Sequence, residues 1–149
     1  MMKLKGLGVL LAAVLSLAGC GGVDPDSPLG KRKAIFQQML DAKENLGGML
    51  RGRMPFDGQA FAIGAVKLDE LSSQPWQHYP EVREKESDAR DEVWEKQARF
   101  NELARALEVT TSALLAASQV QPLKPSEVAP AFQQVEDACS LCHKEFRTY

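Results

Sequence analysis

The chain of 149 residues contains only two histidines, three cysteines and 7% aromatic residues. That leaves little from which to build a structural zinc site, which usually takes four protein ligands. Basic residues are not in excess: 18 lysines and arginines stand against 20 acids, for a net charge of -2. Nucleic-acid binding has no electrostatic footprint in such a balance, so no nucleic-acid partner is expected. Strand-type alternation is lacking, and so is the βαβ pattern that would surround a thioredoxin-like cysteine pair. Apolar runs are short throughout, and the longest, Leu7 to Leu17, falls below the roughly 20 residues of a membrane span. The length suits one domain.

What is present is concentrated around the cysteines. Near the C-terminus the chain reads Cys139-Ser140-Leu141-Cys142-His143. C-x-x-C-H is the attachment sequence for c-type haem: each thiol adds to a vinyl group, and the imidazole becomes an iron ligand. On a helix, positions i, i+3 and i+4 share one face, so Cys139, Cys142 and His143 would all be presented to one macrocycle. A disulfide, a zinc half-site and a redox pair are the alternatives, the disulfide foremost among them. One covalent haem c is the cofactor expected.

The third cysteine has a different setting. Lys3 and Lys5 precede the apolar run Leu7 to Leu17, in the order of a secretory signal. The run ends in Leu17-Ala18-Gly19-Cys20, which resembles a bacterial lipobox, with Cys20 lipidated after cleavage. An ordinary signal peptide leaving a free Cys20 is the alternative. The expected organisation is a signal at 1–19, a flexible tether at 20–29 and one domain at 30–149. Without Lys3 and Lys5, 16 basic residues face 20 acids, and the net charge falls to -4. Gly21 stands where an inner-membrane retention signal would place Asp. The expected location is the periplasmic side of a bacterial membrane, the outer membrane slightly favoured. C-type haem is attached outside the cytoplasm, so both ends of the chain agree on the compartment. The stretch Gly21 to Pro28, rich in Gly, Pro and Asp, has the composition of a tether.

The rest reads as helix. Ser27-Pro28 supplies an N-cap and a first helical residue. Ile35, Phe36, Met39, Leu40, Leu46, Met49 and Leu50 follow at helical spacing, with Gly47-Gly48 weakening the end. Asp57 caps a second helix bearing Phe61, Ala65, Leu68 and Leu71, which stops by Ser73 before Pro75. A loop carries Trp76, His78, Tyr79 and the charged run Glu81 to Glu86, which reads as a solvated segment. A third, longest helix is expected from Ser87 or Asp88 to Ala117. A fourth starts at Ser126-Glu127, with Pro130 in its first turn, and carries Val128, Phe132, Val135, Cys139, Cys142, His143 and Phe146 on one face. The expected fold is all-α, an antiparallel four-helix bundle around covalent haem. The core is modest, so the haem should supply much of the buried apolar surface and the apoprotein should be marginally folded.

Several blocks resemble the cytochrome c′ family. Cys139-Ser140-Leu141-Cys142-His143-Lys144-Glu145-Phe146-Arg147 is similar to its C-x-x-C-H-x-x-[FY]-R ending. Leu71-Ser72-Ser73-Gln74-Pro75-Trp76 is similar to its L-S-x-x-P-W segment, and Asp88-Ala89-Arg90-Asp91-Glu92-Val93-Trp94 to its D-A-R-x-x-[IV]-W segment. Arg32, Met39 and Pro55-Phe56-Asp57 also fall where that family has Arg, Met and P-[FY]-D. The resemblance spans about Gly30 to Arg147.

The resemblance implies roles for particular residues. His143 would be the proximal iron ligand. The distal position falls on Phe36, one turn after Arg32, where low-spin relatives carry a ligating methionine. Phenylalanine has no lone pair to give, which implies five-coordinate, high-spin iron under an apolar cap. Met39 is a rival ligand, with core packing the favoured role. His78 is a weaker rival. Arg147 would lie beside the proximal imidazole, Arg32 would neutralise a haem propionate, and Trp76 would pack at the haem edge. Trp94 is expected between helices or in a dimer core. The implied function is binding of diatomic gas, nitric oxide above all and carbon monoxide more slowly, for scavenging or carriage. Electron transfer with periplasmic redox partners is the alternative. Catalysis is not expected, because no distal acid–base pair is visible near Phe36. Membrane attachment would come through the lipid on Cys20. A homodimer through the first two helices is permitted by Phe61 and Val66.

Overall fold

A computed structural model describes residues 22–149. The expected signal at 1–19 and the lipidation site Cys20 lie outside the described residues. The described chain forms five α-helices: α1 (Pro28–Leu50), α2 (Gly58–Ser72), α3 (Glu92–Glu95), α4 (Gln97–Ala117) and α5 (Pro125–Phe146), with a 3-10 turn at Pro75–His78. Helices α1, α2, α4 and α5 make an antiparallel four-helix bundle.

Local chemistry sets the helix ends. Ser27 Oγ accepts from Gly30 N at 3.0 Å, and Pro28 occupies the first helical position, where its missing N–H costs nothing. The stretch expected as a tether is already ordered there: Ser27 N and Oγ both donate to the Asp24 carbonyl, at 3.1 and 2.6 Å. Asp57 Oδ1 accepts from Ala60 N at 2.9 Å and starts α2. Lys124 N donates to the Glu127 carboxylate at 2.8 Å and starts α5, one residue before the expected Ser126. Pro130 therefore falls in the second turn, and the helix runs through it.

Helix α1 does not weaken at Gly47-Gly48. It runs on to Leu50, then ends at Gly52, whose φ of +70° favours glycine, while Arg53 N donates to Gly48 O at 2.9 Å. Gly47 lacks a side chain because the Arg51 guanidinium lies over it on the way to Glu136 of α5, 3.1 Å away.

The expected long third helix is broken. Ser87 to Asp91 is not helical, α3 is a single turn, and Lys96 (φ −121°, ψ 46°) interrupts the path before α4 begins. Tertiary pairing explains the loss at the start. Arg90 N donates to Phe146 O at 2.9 Å and Thr148 N to Asp88 O at 2.8 Å, so residues 88–90 lie antiparallel to the end of α5. Backbone groups spent on that pairing are not available to a helix.

Two apolar clusters form. The larger joins α1, α2, α4 and α5 through Leu46, Phe61, Ala65, Leu68, Leu114, Val128 and Val135, each at most 2% exposed. The smaller gathers Ala89, Val93, Phe100, Leu103 and Phe146 around the start of α4 and the end of α5. Phe61 lies wholly inside the first cluster and so offers nothing to a partner subunit, contrary to expectation. Val66, at 37%, and Ile63, at 64%, are the exposed large apolar side chains of α2. No helix among the described residues is long and apolar enough to cross a membrane.

Candidate haem site

Helix α5 packs closely on α4, and α1 packs on α2, but α1 and α5 scarcely touch. A cavity of about 550 Å³ stands between them. Its α5 wall presents Cys139, Cys142, His143 and Phe146, the i, i+3, i+4, i+7 stripe of one helix face, and Arg147 lines the cavity from just past the helix end, on extended backbone paired with Ala89. Facing them, α1 presents Arg32, Phe36 and Met39 at the same periodicity. Trp76 and Tyr79 close one end, and Ser87 and Ala89 line the wall beside them.

Both thiols are free and half-buried. Burial pushes the Cys139 thiol above its ordinary value, and burial together with the neighbouring Cys139 and Glu145 pushes Cys142 up to about 11. His143 moves the other way. Partial burial, then the positive charges of Arg147 and Lys43, hold it below the ordinary histidine value. The shift favours the neutral imidazole, the form that has a lone pair for a metal.

The opposite wall is aromatic. Phe36 meets the edge of Trp76 with ring centroids 6.0 Å apart, Trp76 meets Phe100 at 5.8 Å, and Phe100 meets Phe146 at 5.3 Å, all edge-on. This ladder runs from α1 round to the haem-bearing helix. Met39 is 6% exposed and belongs to the large core cluster while also touching the cavity.

Arg32 is 2% exposed and held on several sides. Its guanidinium makes a two-pronged pair with Glu84 at 2.8 and 2.9 Å, donates to His78 O and Ser87 Oγ at 2.8 Å each, and lies 4.3 Å over the Tyr79 ring. The pairing holds the Glu84 carboxyl below its ordinary value. Burial raises Tyr79 to about 12, with the positive charge of Arg32 opposing the rise. Arg83 bonds to Ala89 O at 2.7 Å and Ser87 O at 3.1 Å. The run 81–86, expected to be only a solvated loop, is therefore a strap fastened at the cavity's edge by Arg83 and Glu84.

The structure brings most of the residues singled out in the sequence to one cavity. Cys139, Cys142, His143, Phe36, Met39, Arg32, Trp76, Phe146 and Arg147 all line the cavity. His78 does not; its backbone carbonyl serves Arg32. Trp94 stands outside too, donating to Pro80 O at 2.7 Å with its ring 6.2 Å from Tyr79. Ser87, Tyr79, Glu84 and Lys43 were missed as parts of the site. Arg32 and Glu84 lie 52 positions apart, with no periodicity to connect them. The small side chain of Ser87 gave no pattern at all.

The residues fit a haem. Two thiols and an imidazole share a face, Phe36, Met39, Leu40 and Trp76 supply apolar surface across from them, and the cavity of about 550 Å³ has room for a large ligand. Fold and site together define a c-type haem protein built on a four-helix bundle. The chain belongs to the cytochrome c′ family: a family profile described as Cytochrome C' matches residues 27–147. Proteins of that family carry covalently bound haem c.

Solved structures agree on the fold. Cytochrome c prime from Shewanella frigidimarina is similar with a TM-score of 0.79 at 22% identity, covering 87% of this chain and 100% of that one. Cytochrome c' from Rubrivivax gelatinosus gives 0.75 at 21%, covering 83% and 98%. A nitric oxide complex of a mutant cytochrome c prime from Alcaligenes xylosoxidans gives 0.76 at 23%, covering 87% and 99%. A carbon monoxide-bound variant of the same protein gives 0.76 at 24%, covering 85% and 98%. No curated protein matches the chain.

Proposed function

We propose that this protein binds nitric oxide at a haem iron held by His143 and left without a second protein ligand, for scavenging or carriage rather than catalysis. The observation that carries this reading is Phe36. It stands on the α1 wall across from the Cys139–His143 face, braced edge-on by Trp76, and offers no lone pair and no hydrogen bond. Haem iron with an open position binds diatomic gases, and the polarity and crowding of the distal side decide among them. Oxygen gains from a hydrogen-bond donor on that side, and Phe36 supplies none. Nitric oxide binds ferrous haem without one. Arg147, just past the end of α5, adds positive charge near His143 and helps hold its pKa below the ordinary histidine value. The solved relatives with nitric oxide and carbon monoxide bound support the gas-binding reading by analogy.

The anchoring to a periplasm-facing membrane through Cys20 belongs to the same proposal. It would hold the bundle near the site of gas production or respiration.

Absorption spectra of the purified ferric and ferrous protein, with and without nitric oxide, test the proposal. Expected are high-spin spectra in both oxidation states and a new ferrous spectrum on adding the gas. A six-coordinate, low-spin ferrous spectrum without added gas would overturn it. That outcome would favour electron transfer, for which Met39, whose side chain already reaches the cavity, is the ligand candidate.

A further inference from the structure

The composition of residues 20–29 suggests a loose tether, but its described part, from Gly22 onward, has a fixed course. The Asp24 carbonyl accepts from Ser27 N at 3.1 Å and from Ser27 Oγ at 2.6 Å, and Asp24 Oδ1 accepts from Asp26 N at 2.9 Å. Gly30 has no side chain where Asp24 and Pro25 cross the first turn of α1, and a Cβ there would overlap both backbones. Upstream of that crossing the chain lies beside the strap. Gly22, Val23 and Asp24 on one side and Glu84 and Glu86 on the other line a small recess. Val23 is half-buried there, and Leu29 is a wall of this recess and of the haem cavity alike. Glu84 is in turn paired with Arg32, so the entering chain and the strap belong to one fastened end.

That end lies close to the attachment point. Only Gly21 stands between Gly22 and Cys20. Two peptide steps reach about 7 Å. Helix α1, 23 residues long, carries the chain about 35 Å from there to the closed end of the bundle. A lipid on Cys20 therefore stays near the strap and far from the closed end, where the start of α2 at Gly58 meets Leu123. Charge adds little. The exposed acids Asp24, Asp26, Glu81 and Glu86 offset the exposed Lys31, Arg83 and Lys85, so this end has no polybasic patch for anionic lipid. The short connection, not the surface charge, is what sets the orientation.

We infer that the protein sits on the bilayer by its open end, with the strap and the first turn of α1 against the lipid headgroups and the closed end pointing away. The inference rests on the reading of Cys20 as a lipid anchor and adds which face of the domain meets the membrane. It places the haem cavity on the membrane side of the domain.

The test uses the full-length, haem-loaded protein on phosphatidylcholine vesicles and reads the reaction of an added cysteine with a maleimide too polar to enter lipid. Val82 on the strap and Val120 beyond α4 are both exposed, at 77% and 58%. Val82→Cys should react several-fold more slowly on vesicles than in the unanchored Cys20→Ala background, and Val120→Cys should react equally fast in both. Glu81→Cys, also exposed on the strap, replaces Val82→Cys if that variant does not accumulate. A flexible Gly-Ser insert of about 20 residues between Gly21 and Gly22 should restore the fast rate at the strap while the protein stays on the vesicles. Equal rates at the strap on and off vesicles, or slowing at Val120→Cys, overturn the orientation. Slowing at the strap that survives the insert overturns the part given to the short connection. A protein that does not float with the vesicles overturns the lipid anchor itself, and flotation separates that failure from the others.

Discussion

The two halves of the bundle are built by different means. At the closed end, Leu46, Phe61, Leu114 and Val128 fill the interior by themselves, each fully buried. Packing there is of the ordinary kind, down to Gly64, where a Cβ would come within 2.8 Å of Leu46. At the open end, α1 and α5 stand apart around a cavity of about 550 Å³. The walls are held by edge-on aromatics, a buried arginine, and a short pairing between residues 88–90 and the end of α5. The first half is a core that the chain completes. The second is a mould whose filling is covalent haem, so stability and function are divided along the length of the same four helices.

The comparison can be broken most severely by removing the filling. Cys139→Ala with Cys142→Ala should abolish covalent attachment, leaving haem that denaturing extraction removes. The melting temperature should fall by more than about 10 °C, as expected when a tightly held cofactor is lost from a domain this size. Hydrogen exchange should then rise at residues 83–103 and at the end of α5 before it rises around Phe61.

Phe61→Ala attacks the closed end instead. A buried phenylalanine truncated to alanine costs about 3–5 kcal/mol. Denaturant unfolding should show that loss, while the ferric absorption spectrum of the folded protein stays as it was. A changed spectrum would show that the two halves are not separable.

Arg32→Met tests the strap. Removing one partner of a buried pair is costly, but Glu84 is 22% exposed on its side chain, so water recovers part of the loss and about 2 kcal/mol is expected. The same pair carries a pH signature. The folded-state pKa of Glu84 is lowered by Arg32, so its contribution is fully present above the ordinary carboxylate value. It is lost as pH falls from there through the depressed value. Glu84→Gln should flatten the stability profile below about pH 4. An acid limb as steep as in the parent protein would rule out that origin.

The smallest effect concerns the Phe36 gate. Phe36→Ala should speed carbon monoxide association about tenfold, equivalent to about 1.4 kcal/mol of barrier. Flash photolysis measures it. No acceleration would mean that crowding by Phe36 does not set the rate.

Legibility followed the range of the interaction. The helix starts at Ser27-Pro28 and Asp57 and the stripe Cys139, Cys142, His143, Phe146 were readable because capping and helical periodicity act within one or two turns. The start of the third helix was misread, because residues 88–90 give their backbone bonds to the end of α5, some 60 positions away. Arg32 was found, but its partner was not. A lone acid in a run of charges, Glu84, carries no mark that distinguishes it from its exposed neighbours.

The sequence by itself determined the chemistry of attachment and the helical class, since each depends on side chains fixed relative to one another by a single helix. Tertiary structure alone decided how the open end is closed: which acid neutralises Arg32 and which segment pairs with the end of α5. Those choices depend on surfaces from α1, the strap and α5 meeting in space, and no spacing along the chain records such a meeting.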